Sequence, residues 1–142
     1  MYSDENMQSM PEKNNMSLKF VESSIPAESV EIVELLVSLG ADHNTAKTLI
    51  CLHTHGPSKS IDLQKNCNLR QPDVSIAINR LRDLNVVRVV PTNSTGRGRP
   101  SHIYELSVPL EEALIPFRTE ASERLAYIQS QLSRLGELAK FA

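Results

Sequence analysis

The chain has 142 residues, 40% of them hydrophobic and 23% charged, the composition of one folded domain with room for an appended helix. Aromatic residues make up only 4% and Trp is absent, so the core has to be aliphatic, and the net charge is −2. No apolar run approaches the roughly 18 residues of a membrane span, and the acidic, polar N-terminus lacks the basic and apolar regions of a signal peptide. The expected compartment is the cytoplasm.

Residues 1–16 are rich in Asn, Ser, Met and acidic side chains without an apolar period, and read as a disordered leader. Residues 17–24 offer a further helical turn or two, with Leu18, Phe20 and Val21 available for packing. Pro26 then opens a helix from about Ala27 to Leu39. Val30, Val33, Leu36 and Val37 recur in steps of three and four, Glu28, Glu31 and Glu34 occupy other faces, and Gly40 stops it. Asp42 or Asn44 caps the next helix, whose Ala46, Leu49, Ile50 and Leu52 point inward until Gly56-Pro57 ends it. Ser58 or Ser60 begins a short helix through Lys65, and residues 66–69 form a turn.

A third helix is expected from Pro72, a residue suited to the first helical position, to Leu84. Its apolar stripe reads Val74, Ile76, Ala77, Ile78, Leu81 and Leu84. Asn85 tolerates the left-handed conformation at a helix end. Two β-rich runs follow, at residues 86–90 and 103–106, separated by Thr-Asn-Ser-Thr-Gly-Arg-Gly-Arg-Pro-Ser. Runs of this kind around a Gly-containing loop form a β-hairpin, here with a long tip that carries Arg97 and Arg99. Such a tip contributes little to a core. It suits a phosphate backbone or a narrow minor groove, whose negative potential attracts arginine.

After Ser107 the pattern is helical again from Pro109 to about Ile115, where Pro116 breaks or kinks it. In the last segment, residues 117–141, Ala121, Leu125, Ile128, Leu132, Leu135 and Ala139 alternate steps of four and three, a heptad seam of nearly three repeats. Two uses fit this stripe: pairing with a second helix, giving a homodimer, or folding back onto its own domain. The narrowness of the stripe favours pairing.

Charge is unevenly distributed along the chain. Residues 1–44 hold two basic and eight acidic side chains, a balance of −6, whereas residues 59–102 hold eight basic and three acidic, a balance of +5. A basic middle in a near-neutral chain is the electrostatic footprint of a nucleic-acid face, and a solvated surface is the plainer alternative. The expected fold is α+β, mostly α: a winged helix-turn-helix domain, helices plus a two-stranded β-hairpin wing, with a C-terminal dimerisation helix. The expected organisation is a leader (1–16), a winged-helix DNA-binding domain (17–107) and a helical dimerisation segment (108–142).

Five pieces, in order, resemble archaeal TrmB-type and MarR-type winged-helix regulators. Residues 39–49, Leu-Gly-Ala-Asp-His-Asn-Thr-Ala-Lys-Thr-Leu, are similar to the entry of their first helix. Residues 52–58 resemble the Gly-Pro-Ser step into the second, and residues 69–75 the entry to the recognition helix. Residues 79–87, Asn-Arg-Leu-Arg-Asp-Leu-Asn-Val-Val, look like the exit into the wing, and residues 96–100 with 104–106 like the wing and its returning strand. The resemblance covers residues 39–106 and implies a transcriptional regulator that binds double-stranded DNA. The large effector domain of the sugar-sensing TrmB proteins has no counterpart here, which implies a short form with no expectation of sugar binding.

Once the apolar stripe faces inward, Gln71, Asp73, Ser75, Asn79 and Arg80 remain on or near the outer side of the recognition helix. There Gln71 and Asn79 suit adenine, and Arg80 suits guanine or phosphate. Asp73 has three uses open to it: capping the helix, accepting from a cytosine amine, or orienting Arg70 or Arg80. Lys59, Ser60, Lys65 and Arg70 flank the groove, in reach of phosphates. Arg97-Gly98-Arg99-Pro100 also resembles the core of the AT-hook, a minor-groove peptide. Cys51 is expected in the core and Cys67 at a more exposed turn, with little disulfide signal between them. His53 and His55 read as exposed helix-end residues, and no spacing implies a metal site or a cofactor. No catalytic grouping stands out, so the chain is not expected to be an enzyme. A competing reading is a winged helix serving as a protein-interaction module in a larger complex. A small-molecule or redox effector has no assignable pocket.

Overall fold

The structure, a computed structural model, describes residues 26–91 and 102–142. The expectations for residues 1–25 and for 92–101, the latter including Arg97 and Arg99, lie outside the described residues. The described elements run α1 (Ala27–Ser38), α2 (His43–His55), α3 (Ser60–Cys67), α4 (Gln71–Asp83), β1 (Val87–Pro91), β2 (His102–Leu106), α5 (Leu110–Ala113) and α6 (Ile115–Ala139). No described helix is long and apolar enough to cross a membrane.

Helix α2 is the centre of the domain. Ala46, Leu49, Ile50, Cys51 and Leu52 are buried on it, and α1, α3, α4 and β2 all pack against it. A helix buried on so many sides satisfies its polar groups largely within itself, the Thr54 hydroxyl excepted. Thr48 donates its hydroxyl to the Asn44 carbonyl at 2.8 Å, and the Asp42 carboxylate accepts from both the Thr45 amide (3.1 Å) and the Thr45 hydroxyl (3.0 Å). Asp42, rather than Asn44, is therefore the cap. Val30, Val33 and Leu36 of α1, Leu63 of α3, and Val74, Ile78 and Leu81 of α4 complete an aliphatic core.

The helix ends follow from residues that accept unusual backbone angles. Gly40 turns the chain at φ +107° between α1 and α2, where a side chain would be strained and would also meet the Arg124 guanidinium. Asn68 (φ 56°) and Asn85 (φ 64°) close α3 and α4 in the left-handed region that Asn tolerates. Of the two roles open to Pro116, breaking or kinking, the structure displays a break: the helix expected from Pro109 to about Ile115 is the four-residue α5, and α6 starts afresh at Ile115, with Pro116 in its first turn where a missing amide costs nothing.

β1 and β2 pair antiparallel, from Val87 opposite Leu106 to Pro91 opposite His102. Arg88 and Glu105 face each other in this register and form an ion pair at 2.5 Å. The returning strand is tied down twice more. Ser58 and Tyr104 exchange two backbone hydrogen bonds, at 2.9 and 2.8 Å, so the turn before α3 adds a single bridge on the other edge of β2. Ser107 then donates its amide to the Val86 carbonyl (2.9 Å) and its hydroxyl to the Asn85 carbonyl (3.0 Å).

Two expectations about packing are corrected. Ile76 does not join the buried stripe of α4; it is 58% exposed. The buried residues are Val74, Ala77, Ile78 and Leu81, one arc of the helix, and a residue two positions after Val74 falls outside that arc at 3.6 residues per turn. Cys67 is not at an exposed turn. α3 continues two residues beyond Lys65, which places Cys67 four residues after Leu63 on the inner face, fully buried beside Cys51 across a Cα–Cα distance of 6.5 Å.

Candidate nucleic-acid interface

The helix-turn-helix unit consists of α3, the turn around Asn68, and α4. Burying Leu63 and Cys67 fixes the roll of α3 and leaves Ile61, Asp62 and Lys65 exposed. Burying Val74, Ala77, Ile78 and Leu81 fixes the roll of α4 in the same way. Opposite that arc runs an exposed row at i, i+4, i+7 and i+11: Pro72, Ile76, Asn79 and Asp83. Gln71, Ser75 and Arg82 lie along one flank of the row and Arg80 along the other, all exposed, with Asp73 half-buried beside Arg80.

Several of the expected residues already engage one another. Gln71 donates its side-chain amide to the Ser75 hydroxyl at 3.1 Å, which holds two polar groups together at the head of α4. Arg70 stands 3.7 Å from the Asp73 carboxylate. Among the described residues no side chain caps α4, so of the uses open to Asp73 the structure displays the pairing with Arg70. The Ser60 hydroxyl accepts from the Gln64 amide at 3.3 Å. Lys59 is exposed, and its backbone amide donates to the Asp62 carboxylate at 3.0 Å, which orders the first turn of α3. Exposed ion pairs of this kind contribute about 0–1 kcal/mol, so their effect is to orient side chains more than to stabilise the fold. Among the described residues no group of His, Cys, Asp or Glu side chains is arranged to hold a metal ion.

Three features were not anticipated from the sequence. Ile61 and Ile76 are large apolar side chains exposed on the two helices of the unit. The Ser58–Tyr104 bridge attaches the β-ribbon to the turn that precedes α3. Arg124 of α6 donates to the Leu39 carbonyl at the end of α1, anchoring the long helix to the domain.

Helix α6 buries only Phe117. Ala121 is half-buried, while Leu125, Ile128, Leu132 and Leu135 are 52% to 65% exposed. The alternative use of the heptad stripe, folding back onto its own domain, is thus not what the chain does. Tyr127, Leu138 and Phe141 are exposed as well. One open groove beside α6 is lined by Ile115, Arg118, Thr119, Ser122, Glu123 and Ala126.

No family model matches the chain, and no curated protein matches it in sequence. Solved structures do resemble it. A possible transcriptional regulator from Methanosarcina mazei superposes with a TM-score of 0.50 at 14% identity, over 70% of this chain and 87% of that one. A MarR family regulator from Neisseria meningitidis gives 0.46 at 15% identity, over 75% and 82%. A protein from Mycobacterium tuberculosis gives 0.49 at 13% identity, over 90% and 80%. At the identity of the Methanosarcina chain the likeness is one of fold. The chain is a mostly helical winged-helix protein with a two-stranded antiparallel wing and a long C-terminal helix.

Proposed function

We propose that this chain is a sequence-specific DNA-binding transcriptional regulator of the TrmB-like or MarR-like winged-helix type, acting as a homodimer. The observation that carries the reading is the outward face of α4. Its buried arc locks the helix against the core, and the opposite side presents Gln71, Ser75, Asn79 and Arg80 to solvent. A helix in this position enters the major groove with its N-terminal residues at the base edges. Gln71 and Asn79 match adenine, Arg80 matches guanine or phosphate, and Ser75 serves either partner. Asp73 holds Arg70. Lys59, Ser60, Lys65 and Arg70 supply affinity through phosphates without sequence information. Arg97 and Arg99 reach the minor groove or the backbone beside the major-groove site.

The homodimer forms through Ala121, Leu125, Ile128, Leu132, Leu135 and Ala139 of α6. Support comes from the exposure of the four large seam residues. Closing them against a second copy returns about 1–2 kcal/mol each, or about 8–16 kcal/mol for both chains. That is comparable with an association cost of about 4–15 kcal/mol. Pairing two α6 helices sets the separation of two recognition helices, and with it the half-site spacing, near one helical turn of DNA or a multiple.

Fluorescence anisotropy on AT-rich and GC-rich duplexes across a salt series tests the reading. Wild type should bind with strong salt dependence. The Arg97→Ala/Arg99→Ala double variant should bind more weakly, with the log–log salt slope flatter by about 0.9 for each phosphate that the two arginines neutralise. No binding to any duplex at low salt sinks the proposal.

A further inference from the structure

The exposed row on α4 is not uniformly polar. At its centre stands Ile76, 58% exposed and flanked by Pro72 one turn earlier and Asn79 one turn later. A large apolar side chain in the middle of a face otherwise made of Gln71, Ser75, Asn79 and Arg80 brings no packing to its own domain. The major groove holds one apolar feature at a base edge, the 5-methyl group of thymine, and apolar side chains contact it. From the geometry of this face we infer that Ile76 is a specificity-determining residue that packs on a thymine 5-methyl group, one in each half-site. The inference rests on the DNA-binding reading of α4.

Three observations support this placement. Ile76 lies in the first half of α4, the part that meets base edges when a helix of this kind docks. Its neighbours can fix the register: Asn79 is suited to adenine, and the adenine of an adjacent A·T pair lies within the same groove. The Gln71–Ser75 hydrogen bond at 3.1 Å holds the flank of the face in place, so the apolar centre is presented on an ordered surface. Chemically, the recognition is desolvation of one methyl group against a β-branched aliphatic surface, with no hydrogen bond involved.

The test uses the full chain and one class of probe. Duplexes are enriched from a random pool by binding to wild type, and each thymine of the enriched duplex is then replaced singly by deoxyuridine, which removes only the methyl group. Burying one methyl-sized group is worth a factor of about four in affinity, so the critical replacement should weaken wild type about fourfold in one half-site and about fifteenfold in both. Ile76→Ala, a change at an exposed helical position whose fold is checked by circular dichroism, should bind the thymine and deoxyuridine duplexes equally. Comparing the two proteins on the two duplexes separates the methyl contact from any effect of deoxyuridine on DNA shape.

If the enriched duplex binds wild type but no thymine shows an Ile76-dependent loss, this inference is overturned while the regulator reading stands. If no duplex is enriched at all, the regulator reading falls and takes the inference with it.

Discussion

Replacing Leu132 by Ala tests the proposed pairing of α6 at one residue. Leu132 lies mid-seam and is 63% exposed in the single chain. Full burial of a leucine is worth about 1.5–3 kcal/mol, so the part still open to solvent accounts for about 1–2 kcal/mol on pairing. In a symmetric dimer the change is made twice. The expected cost is therefore about 2–4 kcal/mol, a rise of roughly 30- to 1,000-fold in the dissociation constant. Sedimentation equilibrium over a concentration series reads this directly. Ser130→Ala, on the opposite side of the same helix, should leave the constant unchanged. Because Leu132 packs on nothing buried in the monomer, its replacement should not alter the helical signal or the stability of the winged-helix domain. A wild-type chain that is monomeric at every concentration, or a Leu132→Ala variant that pairs as tightly as wild type, would refute the reasoning.

Three further outcomes concern the domain itself. Leu49 is fully buried at the centre of α2, and Leu49→Ala should cost about 2–5 kcal/mol in urea unfolding, with the slope unchanged. Asp42→Ala removes the acceptor of both the Thr45 amide and its hydroxyl, and should cost about 1–2 kcal/mol, seen as a lower Tm. Burial, reinforced by the Lys47 ammonium and opposed by Asp42, lowers the His43 pKa. The folded chain then binds this proton less readily than the unfolded one. Stability is complete above the ordinary histidine value of about 6.5 and falls as pH drops through the lowered folded value. Melting curves above and below that value should show a smaller acid loss for His43→Gln than for wild type.

Most of the fold is legible in the sequence because local rules and tertiary packing agree. The three-residue steps of Val30, Val33 and Leu36, the stop at Gly40, and the left-handed Asn85 each place an element boundary within a residue or two of its observed position. Ile76 departs from the expected stripe because the apolar run from residue 76 to 78 spans two faces of the helix. A strict helical period from Val74 passes over it to Ala77 and Ile78, and that arithmetic is available in the sequence. Cys67 departs through an end effect: two more residues of helix carry it from the turn to the core. The Ser58–Tyr104 bridge and the Arg124–Leu39 contact are not legible locally, since each joins residues far apart in the chain through a backbone carbonyl that has no sequence signature. Within the candidate interface, residue types and their helical phase are legible. The partnerships that orient them, Gln71 with Ser75 and Arg70 with Asp73, depend on rotamers that spacing alone leaves open.

The anchoring of α6 near its beginning has a mechanical consequence. Phe117 is buried and Arg124 is tied to the end of α1, but from Leu125 onward the helix is exposed on all sides. The free stretch from Leu125 to Ala139 is about 22 Å long at the rise of an α-helix. In the proposed dimer this makes α6 a lever with its fulcrum at the domain and its load at the partner. A tilt of about 10° at the fulcrum shifts the far end by about 4 Å, a little more than one base-pair step. The β-ribbon, pinned at Ser58 and Ser107, turns with the recognition helix as one block. In that proposed dimer, a small tilt where Phe117 and Arg124 hold α6 becomes a shift of about one base-pair step between the two proposed DNA-reading heads.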